Sequence, residues 1–248
     1  MNSPSSFDAA EYGRFAADGY DELHNGLDPS AAVETLAALA DGGPVVEFGI
    51  GTGRLALPLA ERGLVVHGIE GSAEMAALLR SKPGGDQIPV VVGNFSEVVA
   101  GDDFCLAVLA YNTIYALPSQ EAQVACFSNA AGHLRPGGCF VLEAWVPDVG
   151  AFRNGTAVRP VQIRGSHIEL EVARLYPAQQ LMETTKVHLS DGKVRLIPAN
   201  HRYAWPSELD LMARLAGLRL VHRWENWERA PFSDTSTAHV SVWEKAAG

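Results

Sequence analysis

Two carboxylates and a run of alternating glycines are the residues of this chain whose types and spacing could do chemistry. Residues 44–63, PVVEFGIGTGRLALPLAERG, place Glu47, Gly49, Gly51 and Gly53 directly after a short apolar run. Glycine destabilises a helix by about 1 kcal/mol relative to alanine, so three glycines at a helix start need a reason. A ligand that approaches the main chain closely, and binds the free N–H groups of a helix start, supplies that reason.

The spacing of these glycines narrows the kind of ligand. The order is Glu47-x-Gly49-x-Gly51-x-Gly53, whereas NAD-binding chains typically carry G-x-G-x-x-G. A second acid, Glu70, ends the next apolar run, where a carboxylate can accept both ribose hydroxyls. Taken singly, Glu47 could be a solvated strand-end carboxylate and Glu70 a partner of a helix dipole. Their order and spacing together favour a nucleoside site.

Alternating apolar and helical patterns indicate the elements that position these residues. Helices are predicted over DPSAAVETLAALA, RLALPLAER, SAEMAALLRSK and SQEAQVACFSNAAGHL, and strands over VVEF, LVVHGIE, IPVVVG, FCLAVLA and CFVLEAWV. Short, uniformly apolar strands that alternate with helices indicate a parallel sheet covered on both faces. Ser72 is predicted to cap its helix, and His133 to act as a cation at the C-terminus of its helix.

The pattern changes after Pro147. The segments HIELEVARLY, QLMETTKVHL and VRLIPANHRYAW alternate polar with apolar residues, and Asp191-Gly192 between the last two is a hairpin signal. An antiparallel insertion that serves as a lid over substrate is therefore predicted. A closing helix follows, WPSELDLMARLAG, in which Ser207 is predicted as the cap and Asp210 as its capping-box partner.

These elements suggest one α/β domain over residues 1–248. Its predicted parts are an N-terminal helical cover (1–40), a nucleoside-binding core (41–147), the antiparallel insertion (155–204), and a closing helix with two strands (205–248).

Composition excludes several classes of function. The 248 residues are 47% hydrophobic and 19% charged, with a formal net charge of −10. That acidity argues against a nucleic-acid binder and against an anionic membrane surface. The first residues lack the apolar core of a signal peptide, and no apolar run could span a bilayer, so a cytoplasmic protein is expected. No spacing indicates a metal site. Edge pairing through the insertion makes a homodimer conceivable.

The segments VVEFGIGTGRLALPLAERG and VVHGIEGSAEM resemble motif I and the acidic strand end of class I S-adenosylmethionine-dependent methyltransferases. GNFSE and LRPGGCFVLEAW stand where later motifs of that family belong, and RYAWPSELDLMARLAGL resembles actinobacterial small-molecule methyltransferases, including antibiotic amino-sugar N,N-dimethyltransferases. The resemblance implies a Rossmann-like α/β fold with a seven-stranded sheet and an antiparallel insertion before the last two strands. It also implies S-adenosyl-L-methionine as cofactor, and methyl transfer to a nitrogen or oxygen atom of a small natural-product acceptor.

The resemblance also implies roles for single residues. Glu47 would orient the methionine ammonium, and Glu70 would bind the ribose. Asn94 stands where the family usually has Asp, and Gly71 where a larger residue often follows the acid, which would leave the adenine edge more open. The other residues implied to line the cofactor are Gly49, Gly51, Phe95, Ala110 and Tyr111.

Candidates for the acceptor side come from segments expected at the cofactor edge. In related enzymes an N-terminal, tyrosine-bearing helix folds over the cofactor, which points to Tyr12 and Tyr20, although both could simply pack that helix. Tyr20, His24 and His201 are the candidate catalytic groups, and each histidine could equally be a surface or core residue. The substrate candidates are Asn112, which could instead cap the next helix, and Tyr115, Glu143, Trp145 and Arg202.

Two other functions compete with a methyltransferase. An NAD-dependent oxidoreductase is disfavoured by the glycine spacing. A non-catalytic cofactor-binding or scaffold protein of the same fold would keep the glycine turn without turning over an acceptor.

Overall fold

A seven-stranded mixed sheet forms the centre of the computed structural model, which describes residues 28–190 and 192–247. The strands in chain order are β1 (Val45–Phe48), β2 (Val66–Glu70), β3 (Val90–Val92), β4 (Phe104–Leu109), β5 (Leu134–Trp145), β6 (Thr156–Arg164), β7 (His167–Tyr176), β8 (Leu181–Ser190), β9 (Lys193–Arg202), β10 (Leu218–Trp224) and β11 (Ala238–Lys245). The central sheet has the order β10-β11-β5-β4-β1-β2-β3. Its first five strands pair in parallel, and β11 runs antiparallel to β5 and β10, which confirms the expected fold class.

Five α-helices connect the strands of the described residues: α1 (Ser30–Ala40), α2 (Ala56–Glu61), α3 (Ala73–Ser81), α4 (Gln120–His133) and α5 (Pro206–Leu215). The Ser72 hydroxyl accepts from the Met75 N–H at 3.2 Å, which confirms the predicted cap of α3. The Ser119 hydroxyl caps α4 in the same way, through the Ala122 N–H at 3.1 Å. None of these helices is long and apolar enough to cross a membrane.

The helices cover both faces of the sheet, as the uniformly apolar strands predict. Successive residues of a strand point to opposite faces, so Val45 and Val46 belong to different hydrophobic clusters. The Val46 cluster includes residues of α4 and α5, such as Phe127 and Leu209. The Val45 cluster includes residues of α1, α2 and α3. The result is a three-layer arrangement that leaves the strand ends free to carry a site.

The capping box predicted for α5 is wrong. No side chain caps this helix, which begins with Pro206 at its first position. The Asp210 carboxylate instead accepts hydrogen bonds from the Arg223 guanidinium at 2.7 Å and from the Trp243 ring N–H at 3.0 Å. These hydrogen bonds of Asp210 connect α5 to β10 and β11.

The predicted role of His133 as a helix-end cation is also wrong. Its ring is buried, with Nδ1 2.8 Å from the Asn129 carbonyl oxygen. Its Nε2 accepts from the Ala100 N–H at 3.0 Å. An accepting Nε2 carries no proton, so the imidazole is neutral and serves as a buried bridge between two segments.

The insertion is a separate four-stranded antiparallel sheet, β6-β7-β8-β9. Ser190 of β8 pairs with Lys193 of β9 in an antiparallel register, and Asp191 of the predicted hairpin turn lies outside the described residues. Strand β6 was not foreseen from the sequence, because Pro160 and a register shift between Pro160 and Gln162 interrupt its alternation.

Candidate functional site

The glycine turn between β1 and α2 has a backbone that only glycine adopts without strain. Gly49, Gly51 and Gly53 have φ of 69°, 56° and 87°. A Cβ at Gly53 would lie 2.4 Å from Cδ1 of Leu79, so close packing also excludes a side chain there. At Gly51 the nearest atom, in Met75, would be 3.7 Å away, so conformation alone demands glycine and the main chain stays approachable.

Glu70 joins the end of β2 to this turn. One carboxylate oxygen accepts from the Gly51 N–H at 2.8 Å, and the other accepts from the Ser72 N–H at 2.9 Å. Burial raises the pKa of Glu70, while the N–H groups of Ser72, Gly51 and Gly71 oppose that rise. Each oxygen keeps a lone pair for a further donor, as ribose hydroxyls would require.

Glu47 is a buried carboxyl with an unsatisfied oxygen. The residue is 5% exposed, and its Oε2 has no hydrogen-bond partner. Burial raises the pKa of Glu47 to about 8; the Arg54 charge and the Ala56 N–H lower it, and the Glu70 charge raises it further. A carboxyl held in this way is suited to a cation that arrives with a ligand, because a positive charge beside it would favour ionisation. The residues therefore fit a nucleoside that carries an ammonium group.

Asn94 and Phe95 follow β3 near the neighbouring strand end. The Asn94 amide oxygen accepts from the backbone N–H and the hydroxyl of Ser96, at 3.0 and 2.9 Å, and its amide nitrogen donates to Glu97 at 2.9 Å. Phe95 is buried and packs 6.3 Å, centroid to centroid, from Phe48. Asn94 thus shapes the local turn, and an adenine contact of either residue stays a prediction.

Residues after β4 meet the glycine turn from the other side. Ala110 is buried, and Tyr111 has a left-handed φ of 55° with its N–H donating to Glu143 at 2.8 Å. The Arg54 guanidinium carbon lies 5.4 Å from the Tyr111 ring centroid. Burial raises the pKa of Tyr111, the Arg54 charge lowers it, and the charges of Glu143 and Glu169 raise it. Tyr111, Glu143 and Arg54 are therefore brought together beside Glu47.

Asn112 and Trp145 connect the ends of β4 and β5. The Asn112 side-chain oxygen accepts from the Trp145 N–H at 2.7 Å, and the side chain caps no helix, so the capping alternative is wrong. The half-buried Trp145 ring lies 4.5 Å from the Tyr115 ring, and 6.4 Å from each of the rings of His201 and Tyr203. Trp145 thus stands between the central sheet and strand β9.

The structure contradicts the prediction that Tyr115 and Arg202 contact an acceptor directly. Tyr115 is fully buried, and its hydroxyl shares its proton between the carbonyl oxygens of Trp145 and Ala204, each at 2.9 Å. Arg202 is 5% exposed and donates to Glu208 at 2.6 Å. Its other acceptors are Gln123 and Gln180. Both residues position neighbouring segments, because each is buried and directs its polar group to protein partners.

Of the three catalytic candidates, His201 lies within the described residues. Its Nδ1 is buried without a partner. Burial, helped by the Lys186 charge, lowers the pKa of His201 to about 4. The ring is therefore neutral at pH 7 but a weak base there. Tyr12, Tyr20 and His24 lie outside the described residues.

Sequence reasoning missed a pair of buried groups on the insertion. Glu169 of β7 faces His188 of β8 across the strand register, with Nδ1 of His188 4.0 Å from the carboxylate. The residues are 9% and 8% exposed, although both are polar. The sequence HIELEVARLY gave no signal for this burial, because Ile168, Leu170 and Val172 make the opposite face of the strand the more apolar one there.

Comparisons with known proteins agree with this geometry. Residues 45–138 match the family described as "Methyltransferase domain". The chain is 25% identical to the cypemycin N-terminal methyltransferase of a Streptomyces species, over 99% of this chain and 100% of that protein. The structure of the CcbJ methyltransferase from Streptomyces caelestis is 38% identical, with a TM-score of 0.90 over 97% of this chain and all of the other. The S-adenosylmethionine-bound structure of CalS10, an amino pentose methyltransferase of Micromonospora echinaspora, is 20% identical over 99% of this chain and all of the other, with a TM-score of 0.69.

Proposed function

The chain belongs to the class I S-adenosylmethionine-dependent methyltransferases, and we propose that it methylates a nitrogen atom of a small organic acceptor in natural-product biosynthesis. The observation that carries the cofactor assignment is the junction at which the Glu70 carboxylate accepts from the Gly51 N–H at 2.8 Å. It places a hydroxyl-binding carboxylate directly against an open stretch of main chain, beside a buried and unsatisfied Glu47.

The residues that would hold the cofactor are distributed over three strand ends. Glu47, at the end of β1, would face the methionine ammonium, and Glu70, at the end of β2, the ribose. Tyr111, after β4, would line the methionine side. When bound, S-adenosyl-L-methionine supplies a methyl group on a sulfonium, which needs no activation because it leaves as a neutral thioether. The protein's own task is then to align the acceptor and exclude water.

Nitrogen is favoured over oxygen by the low pKa of His201, the catalytic candidate that lies within the described residues. A hydroxyl acceptor needs a base whose pKa lies near the operating pH. His201 does not meet that need, since burial lowers its pKa to about 4. A neutral amine is nucleophilic without such help. The name of the cypemycin N-terminal methyltransferase, a relative over its full length, agrees with a nitrogen acceptor.

Calorimetry with S-adenosylmethionine, and with NAD as comparison, tests the cofactor assignment. We expect saturable binding of the sulfonium nucleoside only, weakened by one to two orders of magnitude in Glu70→Ala and less in Glu70→Gln, which keeps one accepting oxygen. Unchanged affinity in Glu70→Ala would contradict the assignment.

Mass spectrometry with a deuterated methyl donor and extract of a producing strain tests turnover. A mass gain on an amine-bearing compound is the expected product. A labelled methyl on oxygen would refute the nitrogen assignment, and cofactor binding without any product would favour a non-catalytic protein of this fold.

A further inference from the structure

The face of the inserted sheet that is turned toward the core, here called the lid underside, contains polar atoms without partners. Ala173 and Thr184 lie opposite each other on this face, as do Glu169 and His188. Thr184 is 2% and His188 8% exposed, and neither the Thr184 hydroxyl nor Nε2 of His188 has a hydrogen-bond partner. Buried polar groups are normally satisfied, so two orphans on one face indicate a ligand that supplies the missing bonds.

Glu169 is a buried acidic side chain that faces His188 across the strand register, and the charges of Lys186 and Arg195 lie within electrostatic reach of that histidine. The ion pair that the described residues provide for it is with His188, at 4.0 Å. Burial lowers the pKa of His188, so that ring is neutral at pH 7. The next carboxylate on the same face, Glu171, is by contrast bound by Arg159 at 2.6 Å. A buried carboxylate beside a neutral imidazole favours a cationic ligand.

The lid underside also lies within electrostatic reach of the cofactor side. The Glu169 charge, with that of Glu143, contributes to the raised pKa of Tyr111, after the larger effect of burial. Tyr111 in turn lies under the Arg54 guanidinium beside the glycine turn. The Glu169 charge is therefore felt at Tyr111, which follows β4 beside the glycine turn.

We propose that Glu169 and His188 bind the acceptor as an ammonium ion and take its proton, which rests on the proposed function. The carboxylate of Glu169 attracts the ammonium. One N–H proton moves to Nε2 of His188 while the electron pair stays on the acceptor nitrogen, which thereby becomes the neutral nucleophile. The positive charge now on His188 is stabilised by Glu169, across from its Nδ1. The Thr184 hydroxyl is available to accept from a remaining N–H.

Two cofactor analogues test this site without knowledge of the acceptor. Sinefungin carries an amine where S-adenosylmethionine carries its reactive methyl, and S-adenosylhomocysteine carries nothing there. Their dissociation constants should be measured by calorimetry on the full chain. In Glu169→Gln we expect sinefungin to bind about fivefold more weakly, with S-adenosylhomocysteine unchanged, as a single charge several ångströms away would produce.

The matched control is Glu171→Gln, which removes an equal charge from the same strand and face but one already bound by Arg159. In Glu171→Gln, the ratio of the affinity for sinefungin to that for S-adenosylhomocysteine should equal the wild-type ratio. Glu169→Met serves as a second neutral variant should the glutamine variant not fold. Binding of both nucleosides with an unchanged ratio in the Glu169 variant would overturn the site. Failure of the wild type to bind either nucleoside would refute the proposed function instead.

The opposite face of the inserted sheet carries a second, independent observation, because it is apolar and exposed. We call it the outer face. Its registers give three rows across the four strands, which begin on β6 at Ile163, Pro160 and Val158; the first two are wholly apolar, and Thr185 interrupts the third. Exposed fractions are 67% for Val158, 68% for Ile163 and 60% for Leu196. Isolated surface apolar residues are ordinary, but a contiguous set indicates an interface.

We infer that a second copy of this chain packs its own outer face on this one. Four strands about 4.8 Å apart and four rows of alternate residues make a face of roughly 19 by 27 Å, or about 1,000 Å² for two copies, which reaches the size of a specific interface. A fourth row sets Arg174 directly opposite Glu183, so the face has no net charge despite the acidic chain. A neutral, self-complementary face suits a two-fold axis rather than a charged partner.

Light scattering on the full chain at micromolar concentration tests the dimer. The wild type should have twice the chain mass, and Leu196→Glu, in the middle apolar row, should be monomeric with unchanged circular dichroism. Leu215→Glu is the matched control, since Leu215 is 74% exposed on α5; it should remain dimeric. A monomeric wild type would overturn the inference, as would a dimer that withstands both Leu196→Glu and Val158→Glu.

Discussion

Cofactor binding should release a proton from Glu47. In the free protein, burial raises the pKa of this carboxyl to about 8, so it is mostly protonated at neutral pH. A methionine ammonium beside it would favour the ionised form and bring the pKa of Glu47 back toward its ordinary value of 4.5. Each unit of that change corresponds to about 1.4 kcal/mol, so the affinity should fall about tenfold per pH unit on acidification below 7.

The measurement is calorimetry between pH 5.5 and 7.0, in buffers with different heats of ionisation. This window lies below the range of about 7.7–8.0 in which α-amino groups titrate, so the ligand's own ammonium stays charged. We expect close to one proton released per cofactor bound. In Glu47→Gln the affinity at pH 7 should be lower, and the pH slope and the proton release should disappear together. Wild-type affinity that is independent of pH in this window would refute the reasoning, as would a slope that survives in the variant.

The same shift predicts how Glu47 affects stability. A carboxyl whose pKa is raised by folding stabilises the folded state most below its unfolded pKa, and that contribution is lost as pH rises from 4.5 to about 8. Over the whole shift of this pKa, the free energy of unfolding falls by about 5 kcal/mol. Thermal denaturation at pH 8 should therefore show Glu47→Gln to be more stable than the wild type in the absence of cofactor.

Five further substitutions, in three comparisons, test the architecture around the site by thermal or chemical denaturation. Gly53→Ala should lower the free energy of unfolding by about 2–3 kcal/mol, because a Cβ there would lie 2.4 Å from a leucine methyl. Gly63 has a similar φ of 86° but open space around it, so Gly63→Ala should lower it by about 1 kcal/mol. Equal losses would contradict the packing argument. Thr184→Val should raise stability by about 1 kcal/mol, since it removes an unpartnered buried hydroxyl. Thr113→Val should lower it by a similar amount, since that hydroxyl donates to a carbonyl at 2.7 Å, and the opposite order would contradict both assignments. Tyr115→Phe removes the hydrogen bonds of the hydroxyl to two carbonyl oxygens and should lower the free energy of unfolding by about 1–2 kcal/mol. An unchanged unfolding midpoint would show that these hydrogen bonds do not stabilise the fold.

The parts of the fold that the sequence predicts are those specified by local patterns. The apolar runs that became β1 and β4 are fully buried, and nothing but a covered parallel sheet accommodates such segments. The glycines were predictable for a related reason, because left-handed backbone at fixed spacing leaves a direct mark on residue type. Strand β6 left no such mark, since a proline and a bulge disrupt its period.

Acceptor-side residues were harder to predict because their environment depends on long-range contacts. Arg202 is a substrate candidate in the sequence, yet it is buried and donates to Glu208 and to two glutamines. Tyr115 looks like a pocket aromatic, yet the ends of β5 and β9 enclose it. Conversely, Glu169 looks like an ordinary exposed residue of an alternating strand. Only the packing of the insertion against the central sheet determines which face of that strand is buried.

The distribution of unsatisfied polar atoms links the two halves of the site. In the described part of the chain, five buried side-chain atoms have no hydrogen-bond partner, and four of them belong to Glu47, Thr184, His188 and His201. The first lies at the strand end that faces the cofactor, and the other three lie on the insertion. Each such atom costs about 1–3 kcal/mol, so random placement of several would be selected against. Their occurrence on the two elements that we propose enclose the reaction is the pattern expected where stability is given up for ligand binding.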